Sequence, residues 1–282
     1  MGNPLSKSVV ILFLSAAGVL FVQMVMYAGF TLFRWEALRS WFDMCNSWFM
    51  KWGLPFMAIL LDALTWTTVM AGIIMLSIQL LSYLRIKRRF APLRRKDQEQ
   101  AIAQTYRLPR RRLVIIEQEQ AVALTMGFIR PVIVLSTGLI QMLEEQELEA
   151  VIRHEEYHMR HYDALRAMPA YLLSKMMWYL PILRWCHHVL KISAEVHADQ
   201  YAVARTGSPV GLGSALLKLV RHKPYTRMPL CHVSFADTPI NIRIRQLIDP
   251  DEKPHMRLPL LSTAISFSVA AVLASLLLPA LL

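Results

Sequence analysis

The chain opens on an apolar run. Between Lys7 and Arg34 no charged residue occurs, and Ser8–Phe33 is long enough for a bilayer-crossing helix, which needs about 20 residues. The run exceeds the apolar core of a secretory signal and no small-residue cleavage site stands out, so an uncleaved anchor is expected. Arg34, Glu36 and Arg39 end it. A ring-rich segment follows (Trp35, Trp41, Phe42, Trp48, Phe49). Such side chains suit the headgroup zone of a membrane and equally suit a small apolar cap on a hairpin. A second apolar run lies within Gly53–Leu84, interrupted by Asp62. A buried acid is costly, so Asp62 sits near an interface or faces a partner inside the protein. A third run, Leu258–Leu282, spans 25 residues without a charge.

Between the second and third runs the pattern changes. Arg85–Arg112 is polar and basic and predicts a helix followed by a turn at Pro109. Leu113–Glu117, Ala121–Met126 and Pro131–Leu135 are short β-rich runs, with Gly127 between the last two, and predict a small sheet. Ser136 or Thr137 can cap a helix starting near Gly138. Glu144–His161 is helical in composition, acidic early and basic late, as the helix dipole favours. Three regions follow: an N-terminal transmembrane hairpin over residues 1–84, a mixed α and β domain over 85–257, and a C-terminal span over 258–282.

Composition supports a membrane setting. The apolar fraction is 55%, mean hydropathy is +0.36 and the net charge is +11. That charge does not suggest nucleic acid, because eleven basic residues fall between Arg85 and Arg112, directly after the second apolar run. The outer loop carries only Arg34, Arg39 and Lys51. The bias places the N-terminus and the middle domain inside and the C-terminus outside. Cys45, Cys186 and Cys231 fit neither a disulfide framework nor a zinc knuckle, and are read as ordinary thiols.

The candidate chemistry lies in two strings, His154-Glu155-Glu156-Tyr157-His158 and Glu195-Val196-His197-Ala198-Asp199. A helix repeats about every 3.6 residues, so His154 and His158 share a face and can take adjacent corners around Zn2+. Glu155 beside them can reach a metal-bound water, whose pKa the metal lowers toward about 7, and can pass its proton to a leaving amine. His161 shares the face but lies ~10 Å along the axis from His154, too far for one ion. Glu195, 37 positions after His158, is the better third ligand. Asp199 shares its face and can fix a ligand imidazole from behind. Asp163 is expected to end or brace the first metal helix, and His197 to face the surface or a substrate cleft. Arg243, Tyr201 and His232 are all candidates for an oxyanion donor. The apolar stretch Ala167–Leu183, with Pro169, Lys175 and Pro181, cannot cross completely, because a full crossing would leave Glu195 on the wrong side for His154. It must be buried or interfacial, or a hairpin that returns to the same face.

These residues resemble the BlaR/MecR-type membrane zinc peptidases, the β-lactam-sensor or antirepressor family, and more distantly the CAAX-prenyl-protease and HtpX group. The resemblance covers roughly Arg107–Leu247. It is carried by Gly127–Leu135, by Glu147–His158 closed by Asp163, by Ala194–Asp199, and by Arg243-Ile244 with Leu247. It implies an α-helical membrane protein with an embedded gluzincin-type α+β zinc-peptidase domain, with Glu195 as ligand and Asp199 behind the ligands. It raises Arg243 to a transition-state or structural helper. It also implies that the strand Ala123, Leu124, Thr125, Met126 binds substrate as an extended edge partner. The sensors of that family carry an extracellular penicillin-binding domain after the last span. No S-x-x-K site follows here, so β-lactam sensing by this chain alone is not expected.

The reading is therefore a zinc endopeptidase of the bacterial cytoplasmic membrane with its site at the cytoplasmic face. Its partners are the bilayer and a regulatory or membrane-proximal protein substrate. Either a sensor partner supplies a signal or the chain works as a stand-alone protease, and a homo-oligomer is the other partner considered. The rival is a non-catalytic, metal-stabilised signalling scaffold, against which the intact Glu155 argues, since a structural site needs no base beside its ligand.

Overall fold

Two long apolar helices dominate the first third of the chain: α1 (Pro4–Phe33) and α2 (Pro55–Phe90). The computed structural model describes residues 4–33, 55–109, 111–221, 232–234, 240–249 and 256–277. The ring-rich segment expected after the first span lies outside them. Within α1 and α2, Ser8–Gly29 and Ile59–Phe90 are long and apolar enough to cross a membrane by length and composition. Their outward faces carry large apolar side chains such as Ile11, Leu12, Ile59 and Leu80. Lys87, Arg88 and Arg89 fill the last turn of α2, where cations favour the helix dipole.

The remaining elements are α3 (Lys96–Thr105), β1 (Leu113–Ile116), β2 (Ala123–Met126), β3 (Val132–Ser136), α4 (Thr137–Met142), α5 (Glu145–His161), α6 (Asp163–Met176), α7 (Ile182–Thr206), α8 (Pro209–Arg221), β4 (His232–Ser234), α9 (Ile240–Ile248) and α10 (Leu260–Leu277). They fall into two compact units. One holds Ile78–Pro169 and Val189–His255, the other Pro4–Ser77, Ala170–His188 and Met256–Leu282, as far as these residues are described. The stretch 170–188 groups with the apolar segments. Its physical form is a hairpin: α6 stops at Met176, a turn follows, and α7 begins after Pro181. The chain thus leaves the first unit and returns to it before Glu195.

In the apolar unit, polar groups pair with one another. The Tyr27 hydroxyl donates to Asp62, so the acid that interrupts the second apolar run has a partner on α1. Thr68 Oγ1 lies 3.3 Å from the Tyr179 hydroxyl, and the Ile182 amide donates to Ser266 Oγ at 3.0 Å. The last apolar run is described as α10, with Leu260–Ala274 a shorter apolar helix than the two candidate spans.

In the other unit the sheet has the order β1-β3-β2-β4. β1 runs parallel to β3; β2 runs antiparallel to β3 and to β4. Alternation sorts its side chains by face. Leu113, Ile115, Ala123, Ile133 and Leu135 join a core with Ala150, Val151 and Ile152 of α5. Ile116, Leu124, Met126 and Val134 join Phe90, with Tyr83 and Ile86 of α2 packed against them. Both faces of the sheet are therefore covered, which is why β2 is buried along its whole length.

That arrangement corrects one expectation. Ala123, Leu124, Thr125 and Met126 do not form an edge open to substrate. β2 is an inner strand, its outer hydrogen-bonding edge taken by β4 in the register Leu124↔Ser234, Thr125↔Val233 and Met126↔His232. The side chains of Ala123, Leu124 and Met126 are committed to the two cores.

Local chemistry places the metal helix. Ser136 caps α4, its hydroxyl accepting from the Leu139 amide at 3.1 Å. Glu144 and Glu147 form a capping box that starts α5, and Glu147 also accepts from Ser214 and Lys218 of α8 at 2.5 and 2.7 Å. Gly138 is required where α4 meets the loop after β1: a Cβ there would lie 1.8 Å from the Glu119 carbonyl oxygen. Gly138→Ala is expected to destabilise the protein by about 1–3 kcal/mol through this backbone clash, measured by denaturant unfolding in detergent.

Candidate metal centre

On α5, His154 and His158 lie one turn apart and are both fully buried. The hairpin return on α7 brings Glu195 to them. One ligand atom from each of His154, His158 and Glu195 lies within 4.8 Å of the others. The two Nε2 atoms are 3.0 Å apart; Glu195 Oε2 is 3.5 Å from His154 Nε2, and Glu195 Oε1 is 3.9 Å from His158 Nε2. Ligands of a tetrahedral zinc with bonds near ~2.0–2.1 Å stand roughly 3.3 Å from one another. The three groups therefore approach the spacing that one such ion imposes.

The ring tautomers point the same way. His154 Nδ1 is 2.8 Å from Asp199 Oδ1, and His158 Nδ1 is 2.7 Å from Asp163 Oδ2. Ionised carboxylates only accept, so each Nδ1 carries a proton and each neutral ring presents a lone pair at Nε2. Two lone pairs facing each other across 3.0 Å repel unless a proton or a cation stands between them. Neither Glu195 oxygen nor Glu155 Oε1 has a hydrogen-bond partner among the described residues, although all are buried. Arg243 lies near Oε2 of Glu195 alone, so Oε1 of Glu195 and Oε1 of Glu155 are buried acceptors that a cation would satisfy, and the residues fit a metal.

Arg243 of α9 stands behind the ligands, with none of its surface exposed. Its Nε and Nη2 donate to the two oxygens of Asp199 at 2.8 and 2.5 Å, and Nη1 lies 3.3 Å from Glu195 Oε2. Electrostatics follow from this. Burial opposes ionisation of Asp199, but the Arg243 charge and the hydrogen bonds from His154 and Arg243 outweigh it and hold the carboxyl at about 2. Glu195 is likewise lowered, burial being overcome chiefly by Arg243. Burial and Arg243 disfavour a charge on His154, yet the neighbouring Asp199 and Glu195 carboxylates raise it above the ordinary histidine value. Glu155 is raised, because burial exceeds the pull of His158, His154 and Thr125.

The other candidates lie elsewhere. His161 is exposed and stacks on Tyr157, with ring centroids 3.9 Å apart. The His197 ring faces Ser193 on its own helix. The Tyr201 ring lies 5.7 Å from that of Tyr157, and its hydroxyl is buried without a hydrogen-bond partner among the described residues. His232 is placed only by its backbone, opposite Met126. Sequence reasoning missed one contact: Thr125 Oγ1 lies 2.7 Å from Glu155 Oε2 and 3.0 Å from the Glu155 carbonyl oxygen. The available signal was strand alternation, which turns Thr125 to the same side as Ala123, the α5 side.

Two imidazoles and a carboxylate around one point, with a free carboxylate beside them, define a candidate metallohydrolase centre. The chain belongs to the BlaR1 peptidase M56 family, whose profile matches residues 52–247. It is also 29% identical over 122 residues to a protein from Methanosarcina mazei described as Protease HtpX homolog 2, covering 32% of this chain and 42% of that relative. The chain thus spans less than half the length of that relative. The family match spans all the residues that form the centre.

Proposed function

We propose that this protein is a membrane-integrated zinc endopeptidase that cleaves a regulatory or membrane-proximal protein segment at the cytoplasmic face. The observation that carries the reading is the convergence of two Nε2 atoms and the Glu195 carboxylate on one buried point. A three-ligand His, His, Glu set leaves a fourth position for water or substrate, the mark of a catalytic rather than a structural zinc.

His154, His158 and Glu195 would hold the ion. When bound, zinc supplies a Lewis acid that makes water nucleophilic near neutral pH and polarises a carbonyl. Glu155, beside the ligands and with Oε1 untethered, takes the proton from the attacking water and returns it to the leaving amine nitrogen. Asp199 and Asp163 keep the two rings in the tautomer that offers Nε2. Arg243 is a positioning residue, because its guanidinium is engaged by Asp199 and Glu195. The cytoplasmic placement rests on the basic end of α2 and the cations that follow it, of which Arg85, Lys87, Arg88 and Lys96 are exposed.

The test is metal removal from the full chain in detergent micelles. Cleavage of labelled casein is expected to vanish on chelation and to return with one equivalent of zinc per chain, measured together with metal content. Cleavage that survives full metal depletion would overturn the reading.

A further inference from the structure

We infer that Thr125 is the positioning residue for the carboxylate of Glu155. The inference rests on the peptidase reading above and assigns a role that the metal ligands and their supporting carboxylates leave open.

The geometry is specific. Thr125 is 1% exposed and sits on an inner strand paired to Ile133 on one side and Val233 on the other. Its backbone is therefore fixed from both edges, and a β-branched side chain has few χ1 choices. The hydroxyl lies 2.7 Å from Glu155 Oε2. Glu155 Oε1 keeps no hydrogen-bond partner among the described residues. One carboxylate oxygen is thus tethered and the other left available on the ligand-bearing helix.

The hydroxyl also lies 3.0 Å from the Glu155 carbonyl oxygen, so it has one proton and two acceptors. When the carboxylate is ionised, Thr125 donates to Oε2. When Oε1 carries the proton taken from water, Oε2 is the carbonyl oxygen of the acid and still accepts from Thr125. No proton is gained or lost by Thr125 in either arrangement. The tether therefore persists through the cycle that Glu155 must perform, and a neutral hydroxyl adds no charge that would weaken the carboxylate as a base.

The experiment uses the zinc-loaded full chain in detergent, with labelled casein for turnover and a peptide hydroxamate for binding. Thr125→Val keeps the shape and removes the hydroxyl. It is expected to lower kcat about 10- to 100-fold, as small misplacements of a reacting group do. KM should stay within about twofold and hydroxamate binding should weaken about tenfold, with one zinc per chain retained. Thr125→Ser should restore most of both losses. Should Thr125→Val fail to fold, Thr125→Ala takes its place with the same expectations. The inference is overturned if the hydroxyl-free variant turns over like wild type, if its loss merely follows loss of zinc, or if Thr125→Ser is no better than it. A wild-type protein that neither cleaves casein nor binds the hydroxamate contradicts the peptidase reading itself, which separates the two failures.

Discussion

Replacing Glu155 by glutamine is expected to lower kcat by about 10²- to 10⁴-fold while zinc stays bound. The side chain keeps its size, and Thr125 can still bond the amide oxygen, so folding should change little. What disappears is, among the described residues, the one carboxylate beside the ligands that is not spent on the metal or on an imidazole. Glu195 faces the two Nε2 atoms, Asp199 holds His154 and Asp163 holds His158. The measurement is casein turnover alongside metal stoichiometry. Unchanged cleavage would remove Glu155 from the chemistry, and a wild-type chain that binds zinc yet cleaves nothing would favour the scaffold alternative.

The second large effect concerns stability. Arg243→Met is expected to destabilise the metal-free protein by about 3–5 kcal/mol, the range for removing one partner of a buried ion pair. Methionine fills much of the volume but leaves Asp199 and Glu195, 2% and 0% exposed, without their guanidinium. Zinc should recover part of the loss, because Glu195 then faces a cation again. Denaturant unfolding in detergent with and without zinc measures both effects. The pH dependence has a defined sign. Asp199 is held below its unfolded value, near ~3.9, so its pairing contributes fully above that value and is lost as pH falls through about 2. The gap between wild type and Arg243→Met should narrow in that acidic window, and a gap constant across it would argue against the pair.

Much of the centre was readable before any coordinates. His154 and His158 follow from helix geometry, and the need to bring Glu195 to them excluded a complete crossing by Ala167–Leu183. The hairpin of α6 and α7 is the form that satisfies this constraint. The three strands before the metal helix were legible because each is a short apolar run bounded by turn residues. What was not legible is non-local. β4 is three residues long and lies more than a hundred positions after β2, so nothing in the local pattern shows that it takes the edge of that strand. The bond from Thr125 to Glu155 depends on the same sheet placement. Arg243 was one of three oxyanion candidates until a resemblance raised it, since an arginine among apolar neighbours on a short helix does not reveal that it is wholly buried.

The hairpin has a consequence for biosynthesis. The histidine pair emerges first, the third ligand arrives only after the apolar excursion, and Arg243 follows 48 residues later still. A chain emerging from the ribosome therefore carries two imidazoles but no closed centre. On the proposed reading, hydrolytic competence is withheld until Arg243 has been made and α7 has brought Glu195 to the histidine pair.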